Sequence, residues 1–174
     1  MPRKNFLEML RGGDRRTIGR SDQVAAIVSK DPKLFPTLIK GLWSEDSFVR
    51  MRAADAAEKV TRKNREILQP YKADLLGLMA EAKEQELRWH LAAMVPRLLL
   101  NLTERKLAAS LLHTYLDDRS SIVKTSALQG LADLARNDSS VRPDVIELLR
   151  EATRNGTPAM KARSRKLLIL LERI

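Results

Sequence analysis

An apolar residue followed by a basic one recurs along this chain at a nearly constant interval. The pairs are Val49-Arg50, Leu87-Arg88, Val123-Lys124 and Met160-Lys161, separated by 38, 36 and 37 residues. Each pair opens a run of small or apolar residues at helical spacing: Val49, Ala53, Ala56 and Val60; Leu87, Leu91, Met94 and Leu98; Val123, Ala127, Gly130 and Leu134; Met160, Ser164, Leu167 and Leu171. Residues three and four apart share one side of a helix, so each run predicts an amphipathic helix whose apolar stripe needs a neighbour. A second series lies between them, Leu38, Leu75, Leu111 and Val145, spaced by 37, 36 and 34 residues. Two helical series on one period predict a chain of two-helix units, each burying its face against the next.

The hydrophobic-then-basic opening at this period resembles the HEAT repeat, whose unit is two antiparallel helices. The resemblance covers residues 31–174 well and residues 1–30 poorly. It implies an all-α fold, a right-handed α-α superhelix of the ARM/HEAT type with about four to five two-helix repeats, like the small prokaryotic HEAT-repeat proteins that the chain resembles. It also implies one solenoid domain over 1–174. Within it, 1–30 forms an atypical N-terminal cap, 31–156 the repeats and 157–174 a C-terminal capping helix. HEAT arrays share a shape while their partners vary, so the resemblance specifies no partner.

Local signals divide the chain further. Phe6-Leu7-Glu8-Met9-Leu10 predicts a short helix, ended by Gly12-Gly13, with Ser21 or Asp22 capping a helix from Gln23 to Lys30. Asp31-Pro32 starts a helix over Lys33–Trp43, and Thr103 caps one over Glu104–Leu116. Asp117-Asp118 forms the turn before Ser120–Arg136, and Gly156 and Pro158 mark a helix stop and restart. Pro70 and Pro96 kink or shift the helices they fall in.

Composition narrows the function classes. The chain has no cysteine, which excludes a disulfide framework, a thiolate metal site and a cysteine nucleophile, and fits a reducing compartment. No apolar region follows Met1-Pro2-Arg3-Lys4, so no leader is expected, and no uncharged run is long enough for a bilayer. The expectation is a cytoplasmic protein without a membrane partner. Net charge is +10, of which residues 1–20 and 157–174 each carry +4. The basic character therefore sits at the two ends.

No motif for catalysis, metal or cofactor emerges, and no small-molecule substrate is evident. His90 and His113 are the only histidines, and neither has a metal-ligand partner at suitable spacing. The recurrent basics Arg50, Arg88, Lys124 and Lys161 are expected to bond inter-helix turns that offer Glu45, Asp46, Glu84, Asp117 and Asp118. Trp89 reads as a partly buried packing residue and Trp43 as core at a helix end.

Solenoids bind partners on the concave surface, which the second helices build. The stripe of each second helix that avoids its apolar face comprises Lys33, Thr37, Lys40 and Ser44; Pro70, Asp74, Gly77 and Glu81; Lys106, Ser110, His113 and Asp117; and Ser140, Asp144, Glu147 and Glu151. Its charge runs from mildly basic to acidic. A groove for a phosphate backbone would be basic throughout, so the first expectation is a non-enzymatic scaffold binding a protein or peptide through Thr37, Lys40, Asp74, His113, Asp144 and Glu147. The alternative is nucleic-acid binding through the basic ends, Arg11, Arg15, Arg16 and Arg20 with Arg163, Arg165 and Lys166. Some alkylpurine DNA glycosylases are built of HEAT-like repeats. They use an aromatic-lined basic groove with a carboxylate, which this stripe lacks.

Overall fold

The computed structural model describes residues 5–174; Met1–Lys4, on which the expectation of no leader rests, lie outside the described residues. The fold is all-helical, with 78% of residues in helices and no strand among the described residues, as the two periodic series require. The chain forms two compact units, Met1–Tyr71 and Lys72–Ile174. The division follows the irregular segment around Pro70, which cannot continue an α-helical ladder.

In the first unit α3 (Ser47–Lys63) is the hub. Asp46 caps it by accepting from the N–H groups of Phe48 (2.8 Å) and Val49 (3.4 Å), and Arg62 and Lys63 complement the dipole at its other end. Val49, Ala53, Ala56 and Val60 are all buried, as their spacing predicts. Against α3 pack α1 (Ser21–Lys30), α2 (Phe35–Lys40) and the 3-10 turns Phe6–Leu10, Gly41–Trp43 and Arg65–Tyr71. Phe35, Leu38, Leu42 and Leu68 fill the space between them, and Phe35 meets the ring of Tyr71 edge-on at 5.9 Å.

Three local expectations change here. Helix α1 starts at Ser21, not Gln23, and Arg20 occupies the cap position. Ser21 is fully buried and donates to Asp55 of α3, a tertiary partner that takes the hydroxyl away from capping. The stretch Lys33–Trp43 is not one helix. Asp31 does cap it, accepting from the Lys33 N–H at 3.2 Å, but Pro32 and Pro36 confine the α-helical part to Phe35–Lys40. Trp43 leaves the core and is 46% exposed, because the 3-10 turn carries it past the apolar face.

The second unit is a succession of helical hairpins: α4 (Lys72–Glu81), α5 (Gln85–Met94), α6 (Leu102–Tyr115), α7 (Ser121–Arg136), α8 (Arg142–Asn155) and α9 (Pro158–Leu171). Helix α7 packs against α5, α6, α8 and α9. Its approach to α5 is unusually close at Gly130, where a Cβ would stand 2.8 Å from the Ala92 carbonyl oxygen. The first-series residues Leu87, Leu91, Met94, Leu98, Val123, Ala127, Gly130, Leu134, Ser164, Leu167 and Leu171 are buried, with Met160 half-buried. In the second series the core position of α6 is Leu112, not Leu111, a slip of one residue. Thr103 does not cap that helix; Asn101 does. The restart at Gly156 and Pro158 is as expected, with Thr157 as cap.

Candidate functional site

Helix α6 is held by a reciprocal cap: the Glu104 N–H donates to Asn101 Oδ1 (2.9 Å), and the Asn101 N–H donates to Glu104 Oε2 (2.7 Å). Lys72 adds an ion pair to Glu104 at 2.9 Å, and this bond first, then the Asn101 N–H, holds the Glu104 carboxyl below its ordinary value. One side of α6 buries Ala108, Leu112 and Tyr115. The other side carries Leu102, Lys106, Ala109, Ser110 and His113, and these form one wall of a cleft of about 400 Å³. Leu134 of α7 and the turn into α8, with Asp138, Ser140 and Val141, complete it.

The lining of the cleft is mainly apolar, with a few polar side chains among it. Leu102, Ala109, Leu134 and Val141 supply the apolar surface. Asp138 is already engaged: it accepts from the Ser140 hydroxyl at 2.6 Å and the Ser140 N–H at 3.0 Å, and pairs with Arg105 at 3.5 Å. Those bonds, the Ser140 hydroxyl foremost, hold its carboxyl below the ordinary value. Arg105 Nε is buried without a hydrogen-bond partner. Lys106, Ser110 and His113 line the cleft, are exposed and make no side-chain hydrogen bond or ion pair among the described residues. Ser110 and His113 are not hydrogen-bonded to each other.

Of the other predicted stripe residues, Thr37 and Lys40 are exposed on α2, Asp74 on α4, and Asp144 and Glu147 on α8; only His113 enters the cleft. The acidic end of the stripe is partly neutralised, since Arg154 pairs with Glu147 (3.1 Å) and with Glu151 (3.0 Å). Sequence reasoning placed Lys106, Ser110 and Ser140 on the stripe but missed the apolar lining, whose Leu134 belongs to the other helical series. Asp133, near the end of α7, has its carboxyl pushed up by burial, against the opposing pull of Gln129 and of Arg136, Arg97 and Arg163.

Of the four recurrent basic residues, Arg50 and Arg88 act on turns, while Lys124 and Lys161 make no such bond among the described residues. Arg50 donates to the carbonyls of Ser44 (2.5 Å) and Glu45 (2.9 Å). Arg88 donates to the Ala82 carbonyl at 2.7 Å, pairs with Asp118 in the following turn and lies over the Tyr115 ring at 5.2 Å. Tyr115 itself donates to the Met79 carbonyl at 2.7 Å, and burial pushes its phenol well above the ordinary range. Trp89 is half-buried and donates from Nε1 to His90 Nε2 at 2.9 Å.

The basic ends differ from one another. In the C-terminal group Arg163 donates to Gln129 at 2.7 Å, while Arg165 and Lys166 are exposed on α9. At the N-terminal end Arg11 pairs with Glu8 (3.1 Å), Arg16 pairs with Asp14 (3.1 Å) and Arg20 Nε donates to Gln23 (2.9 Å). Beneath that loop lies a residue that periodicity did not single out. Arg52, 2% exposed, sends its guanidinium to the carbonyls of Leu10 (2.8 Å), Gly12 and Asp14 (3.1 Å), with its Cζ over the Phe48 ring at 5.1 Å from the centroid. The one available signal was an arginine on the alanine-rich side of α3.

Among the described residues no three His, Cys, Asp or Glu side chains cluster as a metal site, and no helix is long and apolar enough to cross a membrane. No family model matches the chain, and no match was found among curated proteins or solved structures.

Proposed function

We propose that the chain is a non-enzymatic adaptor of HEAT-like solenoid build that binds a protein or peptide, with the α6–α8 cleft as its principal contact. The observation that carries this reading is the pairing, in one cleft, of a mainly apolar lining with the unbonded side chains of Lys106, Ser110 and His113. A large apolar side chain of the partner packs on that lining, and a carboxylate beside it meets the Lys106 ammonium. Pockets of this kind anchor partners through one buried side chain, with polar groups setting orientation. Support for the solenoid build comes from the order in which α5, α7 and α9 pack side by side while α6 and α8 join α7. The acidic residues on α8 and Asp74 on α4 then flank the anchor as selectivity contacts.

The reading is tested with a displayed peptide library panned against the wild-type chain and against Ser110→Trp. Ser110 is exposed and unbonded, so the indole fills the cleft without disturbing the core. Recovered peptides should carry an aliphatic or aromatic residue next to Asp or Glu, and Ser110→Trp should lose them. Selection of the same peptides by both proteins would remove the cleft from the mechanism.

A further inference from the structure

Every residue from Arg11 to Arg20 is exposed, yet the segment is an ordered loop. Apolar burial does not supply that order, because no side chain in the loop enters the core. It comes from below, through the three carbonyls that Arg52 binds, and from within, through the Thr17 N–H to the Asp14 carbonyl (3.1 Å) and the Arg16 N–H to Asp14 Oδ1 (2.9 Å). Gly12, Gly13 and Gly19 take positive φ values of 66°, 84° and 53°, a backbone that side chains resist. At Gly19 a Cβ would stand 2.7 Å from Arg52 Cζ, so the glycine also admits the guanidinium.

The result is a rigid edge with a strong charge. Residues 11–20 hold Arg11, Arg15, Arg16 and Arg20 against the single acid Asp14, for +3. Arg52 adds a further cation underneath, bonded to neutral carbonyls and not to a carboxylate. In a trans peptide the C=O and N–H point in opposite directions. The Gly12 carbonyl turned toward Arg52 therefore aims the Gly13 N–H outward, beside guanidinium groups and with no side chain to screen it.

We propose that this clamped loop is a nucleic-acid contact, with Arg15, Arg16 and Arg20 on successive backbone phosphates and Arg52 as the positioning residue. All four exposed cations are arginine, whose planar fork matches phosphate oxygens in pairs. Full exposure of ten consecutive residues suits a polymer lying across the surface and not a small anion inside a pocket. An acidic protein partner needs an apolar centre to its interface, and the loop offers only Ile18; nucleic-acid interfaces are polar and strongly positive. This inference stands apart from the cleft reading, since the two involve different units of the chain.

The test is fluorescence anisotropy with a labelled single-stranded RNA and a labelled DNA duplex, across a salt series, using the full chain. Wild type should bind at low salt with log K falling linearly against log salt. Replacing Arg15, Arg16 and Arg20 together by alanine removes three exposed side chains, so affinity should fall by at least about tenfold and the slope should shrink by about 2 to 3. Arg52→Met keeps every surface charge, so a shallower slope in that variant reports loss of loop order and not loss of cations. If Arg52→Met does not fold, the triple variant decides alone. An unchanged slope in the triple variant overturns the proposal. So does equal binding to phosphatidylglycerol vesicles through the same arginines, which would make the loop a membrane-surface contact.

Discussion

Arg88 in the first turn of α5 and Asp118 in the turn before α7 form an ion pair across 30 residues of sequence. Their side chains are 28% and 10% exposed, so the pair is partly withdrawn from water. It ties one hairpin of the second unit to the next. The pair gives Arg88 a structural use within the second unit.

Asp118→Asn should therefore destabilise the second unit by about 2 kcal/mol, because it leaves the Arg88 guanidinium without its carboxylate. Burial raises the Asp118 carboxyl, but the Ser120 N–H and Arg88 together outweigh it and bring it below the ordinary 3.8. A carboxyl lowered by folding contributes fully above its unfolded value and loses that contribution as pH falls through its folded one. Thermal melts should show a gap between wild type and Asp118→Asn that is constant near neutrality and closes only below pH 3.8. A gap independent of pH down to the acid limit would contradict the assignment.

Two helical glycines should respond with opposite signs. Gly77 on α4 is exposed, and a Cβ there would meet nothing within 4 Å, so Gly77→Ala should raise stability by about 0.5–1 kcal/mol through helix propensity. Gly130→Ala receives the same gain. Its Cβ, however, would stand 2.8 Å from the Ala92 carbonyl oxygen and 3.0 Å from Leu112, forcing α7 off α5 and lowering stability by about 1–2 kcal/mol net. Urea midpoints measure both, and a stabilising Gly130→Ala would show that the helices are not in the contact described.

The loop glycines separate backbone conformation from contact. Gly12→Ala and Gly19→Ala both place a side chain at positive φ, each costing about 1–2 kcal/mol. Only Gly19→Ala also pushes on the Arg52 guanidinium, which three hydrogen bonds hold in place. Trypsin should nick the Gly19→Ala loop at Arg15 or Arg16 faster than the Gly12→Ala loop. Equal rates would mean that Arg52 does not govern loop order.

The helical series beginning at Val49 was legible at every position but the half-buried Met160, because each stripe is set by positions three and four apart. The series through Leu38 was legible at three positions of four, with Leu111 standing where Leu112 is buried. Proline and 3-10 turns shift the phase of those second helices, and no local rule gives the size of the shift. Trp43 failed for the same reason. Of the cleft, the exposed residues Lys106, Ser110 and His113 could be read from α6 alone, whereas Leu134 and Val141 arrive by tertiary packing. The Arg52 clamp was invisible because its partners are main-chain carbonyls some 40 residues away, and carbonyls leave no mark in a sequence.

That last property has a consequence for variation. Any residue type supplies a carbonyl, so the hold of Arg52 on positions 10, 12 and 14 is indifferent to the side chains found there. Once the three glycines keep their backbone turns, the outward residues of the loop are free to be exchanged while the anchor stays fixed. The arrangement works as a frame with a replaceable inscription: the surface of this edge can be rewritten by changing Arg11, Arg15, Arg16, Ile18 or Arg20 without redesigning the unit that carries it.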